Sequence, residues 1–262
     1  MPFADVNEQN LHYVDHGGEG PAIILSHGFA MGHEMWDEQL APLAAAGWRV
    51  ITHDERGWGQ TVYSGAFTYW DLADDVFGLM DHLGIEQAVL GGMSQGGFLS
   101  MRAALKAPER VRALVLVDTE GGAYGDEERQ QFEALFGAMM EHGFVGPVGD
   151  ILASFLFAPG FAGANIWRAK WNARPGAAWL DAKECLFERD DINARLSEIS
   201  CPSITFHGEG DAAIPLARGQ EMVEMLGGDT TMVVVPGAGH SANLENPAVV
   251  NPALVEFLSN LS

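Results

Sequence analysis

Basic residues are scarce in this chain. Fourteen Lys and Arg stand against 36 Asp and Glu, a formal net charge of −22 with histidine neutral. So acidic a surface repels phosphate backbones and anionic lipid headgroups, which argues against nucleic-acid and membrane partners. Cysteine is nearly absent. Cys185 and Cys201 form no CxxC and have no histidines at zinc-site spacing, so they read as two reduced, partly buried thiols, and no metal site is expected. No apolar run approaches the roughly 18 residues of a membrane span. The N-terminal stretch Met-Pro-Phe-Ala-Asp-Val-Asn-Glu has neither a basic n-region nor an apolar h-region, so a cytoplasmic, soluble protein is expected. Internal repeats and low-complexity tracts are also missing.

What is present is a globular composition, 47% hydrophobic and 19% charged over 262 residues, enough for one large domain or one domain carrying a sizeable insertion. Strand and helix signals alternate in the first third. Strands are predicted at 3–6, 11–15, 22–26, 49–53, 87–91 and 111–118, with helices at 34–46, 69–83 and 96–107. This alternation predicts the α/β class, a mostly parallel central sheet flanked by helices. The pattern breaks at Thr119. Up to residue 200 only helical stretches occur, at 126–141, 145–157, 163–172 and 176–189, punctuated by Pro147, Pro159 and Pro175. Aromatic residues concentrate there, among them Phe132, Phe136, Phe155, Trp167, Trp171 and Trp179. We read residues 1–118 and 201–262 as the core domain and 119–200 as an inserted helical cap. The cap's aromatics pack it on the core, and a subset is expected to line a cleft. The βα pattern resumes with a strand at 203–207, a helix at 216–226, a strand at 231–235 and a helix at 248–261.

One motif carries chemistry. Gly92-Met93-Ser94-Gln95-Gly96-Gly97 sits between a predicted strand and a predicted helix, the context of a G-x-S-x-G nucleophile elbow. Ser94 on a tight turn stands clear of the sheet edge, and the following helix directs its N-terminal amides at the site. A serine hydroxyl needs a base. His240, in the loop after the last strand, reaches the same sheet edge as Ser94, where ligands bind in open α/β sheets. Asp211, after the strand 203–207, is the leading candidate for the acid that orients His240; Glu209 and Asp118 are rivals. The order Ser94, Asp211, His240 is that of an α/β-hydrolase triad. Oxyanion donors are expected from the backbone amides of Gln95 and Phe29, the latter in the loop after strand 22–26. His27 in that loop reads as a structural residue. Met31, Trp58, Met93 and Gln95 lie near these motifs and are pocket-wall candidates, although Met31 and Trp58 could equally be packing residues.

At these positions the chain resembles an α/β-hydrolase fold serine hydrolase with a helical cap, over essentially its whole length. His27-Gly28-Phe29 is similar to the family's oxyanion loop, Asp54-Glu55-Arg56-Gly57-Trp58-Gly59 to its D-x-R-G-x-G segment, and Pro108-Glu109-Arg110-Val111 to its P-E-R-V strand entry. Gly208 to Asp211 with Pro215 resembles the acid loop, and Gly239-His240 with Glu245 and Pro247 the histidine loop. A serine at position 94 argues against haloalkane dehalogenases and epoxide hydrolases, which use aspartate there. The overall pattern is most similar to carboxylesterases and 3-oxoadipate enol-lactonase-like enzymes. That resemblance implies hydrolysis of an ester or lactone with an apolar or aromatic part through an acyl-enzyme on Ser94, with no cofactor. Carbon–carbon bond hydrolases of ring-cleavage products, cofactor-free perhydrolases and slow-turnover ligand receptors share the triad and stay open as alternatives. The sequence is compatible with a homodimer and does not specify one.

Overall fold

The computed structural model describes residues 2–63, 65–173 and 179–261. Its centre is an eight-stranded sheet in the order β1-β2-β4-β3-β5-β6-β7-β8. The strands are β1 (Phe3–Val6), β2 (Gln9–Asp15), β3 (Ala22–Ser26), β4 (Arg49–His53), β5 (Ala88–Met93), β6 (Val111–Val117), β7 (Ser203–Gly208) and β8 (Thr230–Val235). Strands β3 to β8 pair in parallel, whereas β1 pairs antiparallel with β2 and β2 antiparallel with β4. The parallel strands β3, β5 and β7 are buried along their full length, as expected of strands covered on both faces. Helices α1 (Asp37–Ala45), α2 (Tyr69–His82), α3 (Gln95–Lys106), α8 (Leu216–Met225), α9 (Ala242–Glu245) and α10 (Pro247–Ser259) surround this sheet. The chain first moves from β3 to β4 on one side, then returns to place β5 on the other. The carboxyl ends of β3 and β5 therefore form the switch point at which open α/β sheets bind ligands.

Between β6 and β7 the described residues contain helices α4 (Asp126–His142), α5 (Pro147–Leu156), α6 (Ala164–Asn172) and α7 (Leu180–Phe187). No strand occurs there among the described residues. The predicted break at Pro175 and the predicted helix start at Gly176 lie outside them. Elsewhere the boundaries differ from expectation for local reasons. Asn7 and Glu8 both have positive φ, 46° and 65°, so a two-residue turn lets β2 begin at Gln9. The helix expected from residue 34 opens with a tight 3₁₀ turn at His33–Trp36 before α1. Helix α5 starts at Pro147, whose missing amide hydrogen is an orphan at that position anyway.

A buried ion pair fastens the segment after β4 to α2 and the first hairpin. Arg56 donates from Nε and Nη2 to the two oxygens of Asp75, at 2.6 and 2.8 Å. Gln9 and Asn7 donate to the same carboxylate, at 2.7 and 3.0 Å. Removing one partner of such a pair strands a buried charge. We predict that Asp75→Ala lowers unfolding free energy by about 3–5 kcal/mol in denaturant titration. A change within about 0.5 kcal/mol, as for a surface substitution, contradicts this account.

Candidate active site

Ser94 lies between β5 and α3 with backbone angles φ 51° and ψ −111°. A residue with a Cβ avoids this region, at a cost on the order of 1–3 kcal/mol. The turn is held by its neighbours. The Ser94 amide donates to the Val117 carbonyl at 2.8 Å, and the Thr119 hydroxyl donates to the Ser94 carbonyl at 2.8 Å. Two glycines are required sterically. A Cβ on Gly92 would stand 2.0 Å from the Gly96 carbonyl, and a Cβ on Gly96 would stand 2.4 Å from the Ser26 oxygen. The second contact presses the first turn of α3 against the loop after β3, which carries Phe29. Among the described residues neither the Phe29 nor the Gln95 amide donates a hydrogen bond, so both remain available to an incoming oxyanion.

His240 follows β8, and its Nδ1 donates to Asp211 Oδ2 at 2.8 Å. Asp211 itself is fixed: Oδ1 accepts from the amides of Ala213 and Ile214 at 2.8 and 2.9 Å, and His207 Nε2 lies 3.3 Å from Oδ2. Burial alone would raise the Asp211 pKa, but His240 and His207 hold it below the ordinary carboxylate value. Burial alone would lower that of His240, and the Asp211 carboxylate raises it above the ordinary imidazole value. Nδ1 carries the proton shared with Asp211, which leaves Nε2 for the adjoining cavity. No hydrogen bond joins Nε2 to Ser94 Oγ among the described residues; in enzymes without substrate such bonds are commonly long. The two residues line one cavity of 60 Å³.

The rival acids have other partners. Asp118 Oδ1 accepts from the Gly208 amide at 2.7 Å and Oδ2 from the Ala242 amide at 2.8 Å, so it clamps the end of β7 to the helix after His240. Burial first, then the nearby Asp211 charge, push its pKa up. Glu209 accepts from the Gly237 amide at 3.3 Å on the exposed side of the loop. His27 donates from Nδ1 to the Gly28 carbonyl at 2.8 Å and accepts at Nε2 from the Glu55 amide at 3.0 Å, a structural pairing. Among the described residues two histidine–carboxylate groups have atoms close enough to hold a cation, His12-His33-Asp54 and Asp118-His207-Asp211. In both, the carboxylate oxygens already accept hydrogen bonds from amides or imidazoles.

Among the described residues none of the four pocket-wall candidates lines the Ser94 cavity. Met31 and Trp58 line a separate cleft of 410 Å³; the loop that carries Met31 turns away after Phe29 through Ala30 at φ 64°, and Trp58 reaches the cleft from the segment after β4. The Trp58 ring packs against the Phe29 ring, 4.8 Å between centroids. Met93 ends β5 on the opposite side of the strand from Ser94, with its sulfur 2.2 Å from where a Gly28 Cβ would be. The Gln95 side chain points into the core, donating from Nε2 to Glu55 Oε2 at 2.6 Å. The walls are instead Phe29, Phe98, Tyr124 and Ile214 together with residues of α4, α5 and α7, including Phe132, Phe136, Met139, Phe155 and Leu186. Among the described residues no lysine or arginine lines the cavity. Arg189, over the Tyr124 ring, is committed to Glu120 and to the Gly122 and Leu186 carbonyls. Glu245, which the sequence resemblance placed in the histidine loop without a role, accepts at Oε1 from the Gly239 and Ser241 amides at 3.0 and 3.2 Å, and at Oε2 from the Ala158 amide at 2.6 Å. It ties the histidine loop to the end of α5.

Proteins of known structure and curated function are similar to this chain over nearly its whole length. A thermophilic esterase from Thermogutta terrifontis superposes with a TM-score of 0.90 at 28% identity, covering 99% of this chain and 98% of that one. The 3-oxoadipate enol-lactonase 2 of Acinetobacter baylyi is 30% identical over 93% of this chain and 91% of its own length. The 2-hydroxy-6-oxo-6-phenylhexa-2,4-dienoate hydrolase of Burkholderia cepacia is 28% identical over 98% of this chain and 96% of its own. The sequence profile of the alpha/beta hydrolase fold matches residues 21–247, and the chain belongs to that family.

Proposed function

We propose that this protein is a serine hydrolase that cleaves uncharged carboxylic esters or lactones with an apolar acyl part. The observation that carries the reading is the convergence of Ser94 and His240 on one apolar cavity, with Asp211 bound to His240 at 2.8 Å. In this reading His240 Nε2 takes the Ser94 proton as Oγ attacks the carbonyl carbon. The amides of Phe29 and Gln95 receive the oxyanion, and Asp211 stabilises the imidazolium. Collapse breaks the bond to the alcohol oxygen, which leaves with the proton from His240. Water then repeats the steps and releases the acid from Ser94. The segment 119–200 serves as a cap that supplies the apolar walls. That no uncommitted cation stands among the described residues of those walls supports neutral substrates over carboxylates, since a buried carboxylate needs a partner.

A second reading, hydrolysis of a carbon–carbon bond in a vinylogous diketone, is supported by the likeness to the Burkholderia cepacia enzyme. Steady-state hydrolysis of 4-nitrophenyl acetate and butyrate, with a lactone and a vinylogous diketone alongside, decides between them. We expect many turnovers of the esters by wild type and a loss of about a million-fold in kcat for Ser94→Ala. Activity that survives in Ser94→Ala, or turnover of the diketone alone, contradicts the ester reading.

The pH dependence follows from His240. Only the neutral imidazole accepts the serine proton, and Asp211 raises its pKa above 6.5. We predict that kcat/KM falls as pH drops through a single pKa above 6.5. Asp211→Asn moves that limb to lower pH and reduces kcat about ten-thousand-fold. A profile flat through the neutral range contradicts the assignment of His240 as base.

A further inference from the structure

The 60 Å³ cavity at Ser94 falls well short of the several-hundred-Å³ pockets that hold organic ligands. Its outer wall is thin. Phe132 and Leu135 of α4, Phe155 of α5 and Ala213 of the acid loop line this cavity and also a more open groove of 480 Å³ beside it. Phe132, Leu135 and Phe155 are each half-buried, as side chains shared by two spaces must be. The Phe132 and Phe155 rings lean on one another at 5.5 Å between centroids. Beyond this partition the groove is apolar, and Ile151 there is 45% exposed, unusual for so large an aliphatic side chain on a helix. Glu128 at its edge is paired with Arg218 at 2.7 Å, so it brings no uncompensated charge.

We propose that this groove continues the Ser94 cavity as the site for an unbranched hydrocarbon chain of the substrate, with Phe132, Leu135 and Phe155 as the partition which that chain displaces. The inference rests on the ester-hydrolase reading. The inner cavity takes only the atoms nearest the reacting carbonyl. A longer chain has to pass the partition, and the groove then removes it from water. Turning an aromatic ring aside needs only side-chain rotation, on a timescale far shorter than turnover. Each methylene fully buried is worth about fourfold in kcat/KM. A wild-type profile that climbs with chain length over several methylenes and then levels is therefore expected.

The test uses the full-length protein, with two ester series and two variants of opposite effect. One series lengthens the acyl chain of 4-nitrophenyl esters from acetate to dodecanoate; the other lengthens the alcohol chain of alkyl acetates. Ala138→Trp fills the groove from α4, and Phe132→Ala opens the partition. The readout is kcat/KM for the long substrate divided by that for the short one, measured for each protein. We expect Ala138→Trp to lower this ratio at least tenfold and Phe132→Ala to raise it. General misfolding reduces both numerators and denominators and cannot move the two variants in opposite directions. Opposite shifts in the acyl series place the acyl chain in the groove, and opposite shifts in the alkyl series place the alcohol chain there; either supports the proposal. Ratios unchanged in both series, with Ser94-dependent hydrolysis of short esters intact, overturn the groove while leaving the ester reading standing. Absence of Ser94-dependent hydrolysis of any ester overturns both.

Discussion

The carboxyl edge of the sheet depends on one strained turn. Ser94 can hold φ 51° only because the chain on either side can approach more closely than side chains permit. Gly92 and Gly96 remove the Cβ atoms that would strike the turn itself and the loop after β3. Val117 and Thr119, at the end of the neighbouring strand, then accept from and donate to the Ser94 backbone. The strain is thus offset by hydrogen bonds from the end of β6 and the residues that follow it. The same close approach brings the Phe29 amide to the start of α3, so the geometry of the proposed nucleophile and that of the proposed oxyanion donors have a common origin.

The other half of the site is fastened by carboxylates. Asp118 joins β7 to the helix after His240, and Asp211 is held by two amides before it reaches the imidazole. Glu245 secures the histidine loop from the far side and extends the connection to α5. Three acidic side chains therefore act as acceptors for loop amides that would otherwise lack partners near the sheet edge. Placing negative charge around Asp211 and His240 has a second effect. In the proposed mechanism this favours the imidazolium that forms while an oxyanion develops at Ser94. Support of the loops and electrostatics at the base are provided by the same residues.

The sheet was largely legible in the sequence because buried parallel strands read as short apolar runs, and so was the placement of the candidates Ser94, Asp211 and His240, because each follows such a run at the carboxyl edge. What was not legible depends on direction. Met93 and Gln95 flank Ser94 in sequence, but a strand end and a helix start send their side chains into the core. Met31 and Trp58 are near the motifs and still face another cleft, Met31 because Ala30 turns its loop and Trp58 from the segment after β4. Much of the lining of the Ser94 cavity comes from α4, α5 and α7, more than thirty positions from Ser94, and their aromatic richness was visible while their facing was not. Asp118 and Glu245 carry no local pattern that separates a loop clamp from a catalytic acid; only their amide partners do so.

The central claim is that Ser94 carries a covalent acyl group during turnover. Brief mixing with a 4-nitrophenyl ester at low pH, where imidazolium formation slows deacylation, followed by intact-mass measurement and peptide mapping, tests it most directly. A mass increase equal to one acyl group, located on the peptide that holds Ser94 and absent from Ser94→Ala, is the predicted result. Hydrolysis that proceeds with no acyl adduct at Ser94, or with an adduct at another residue, contradicts the account.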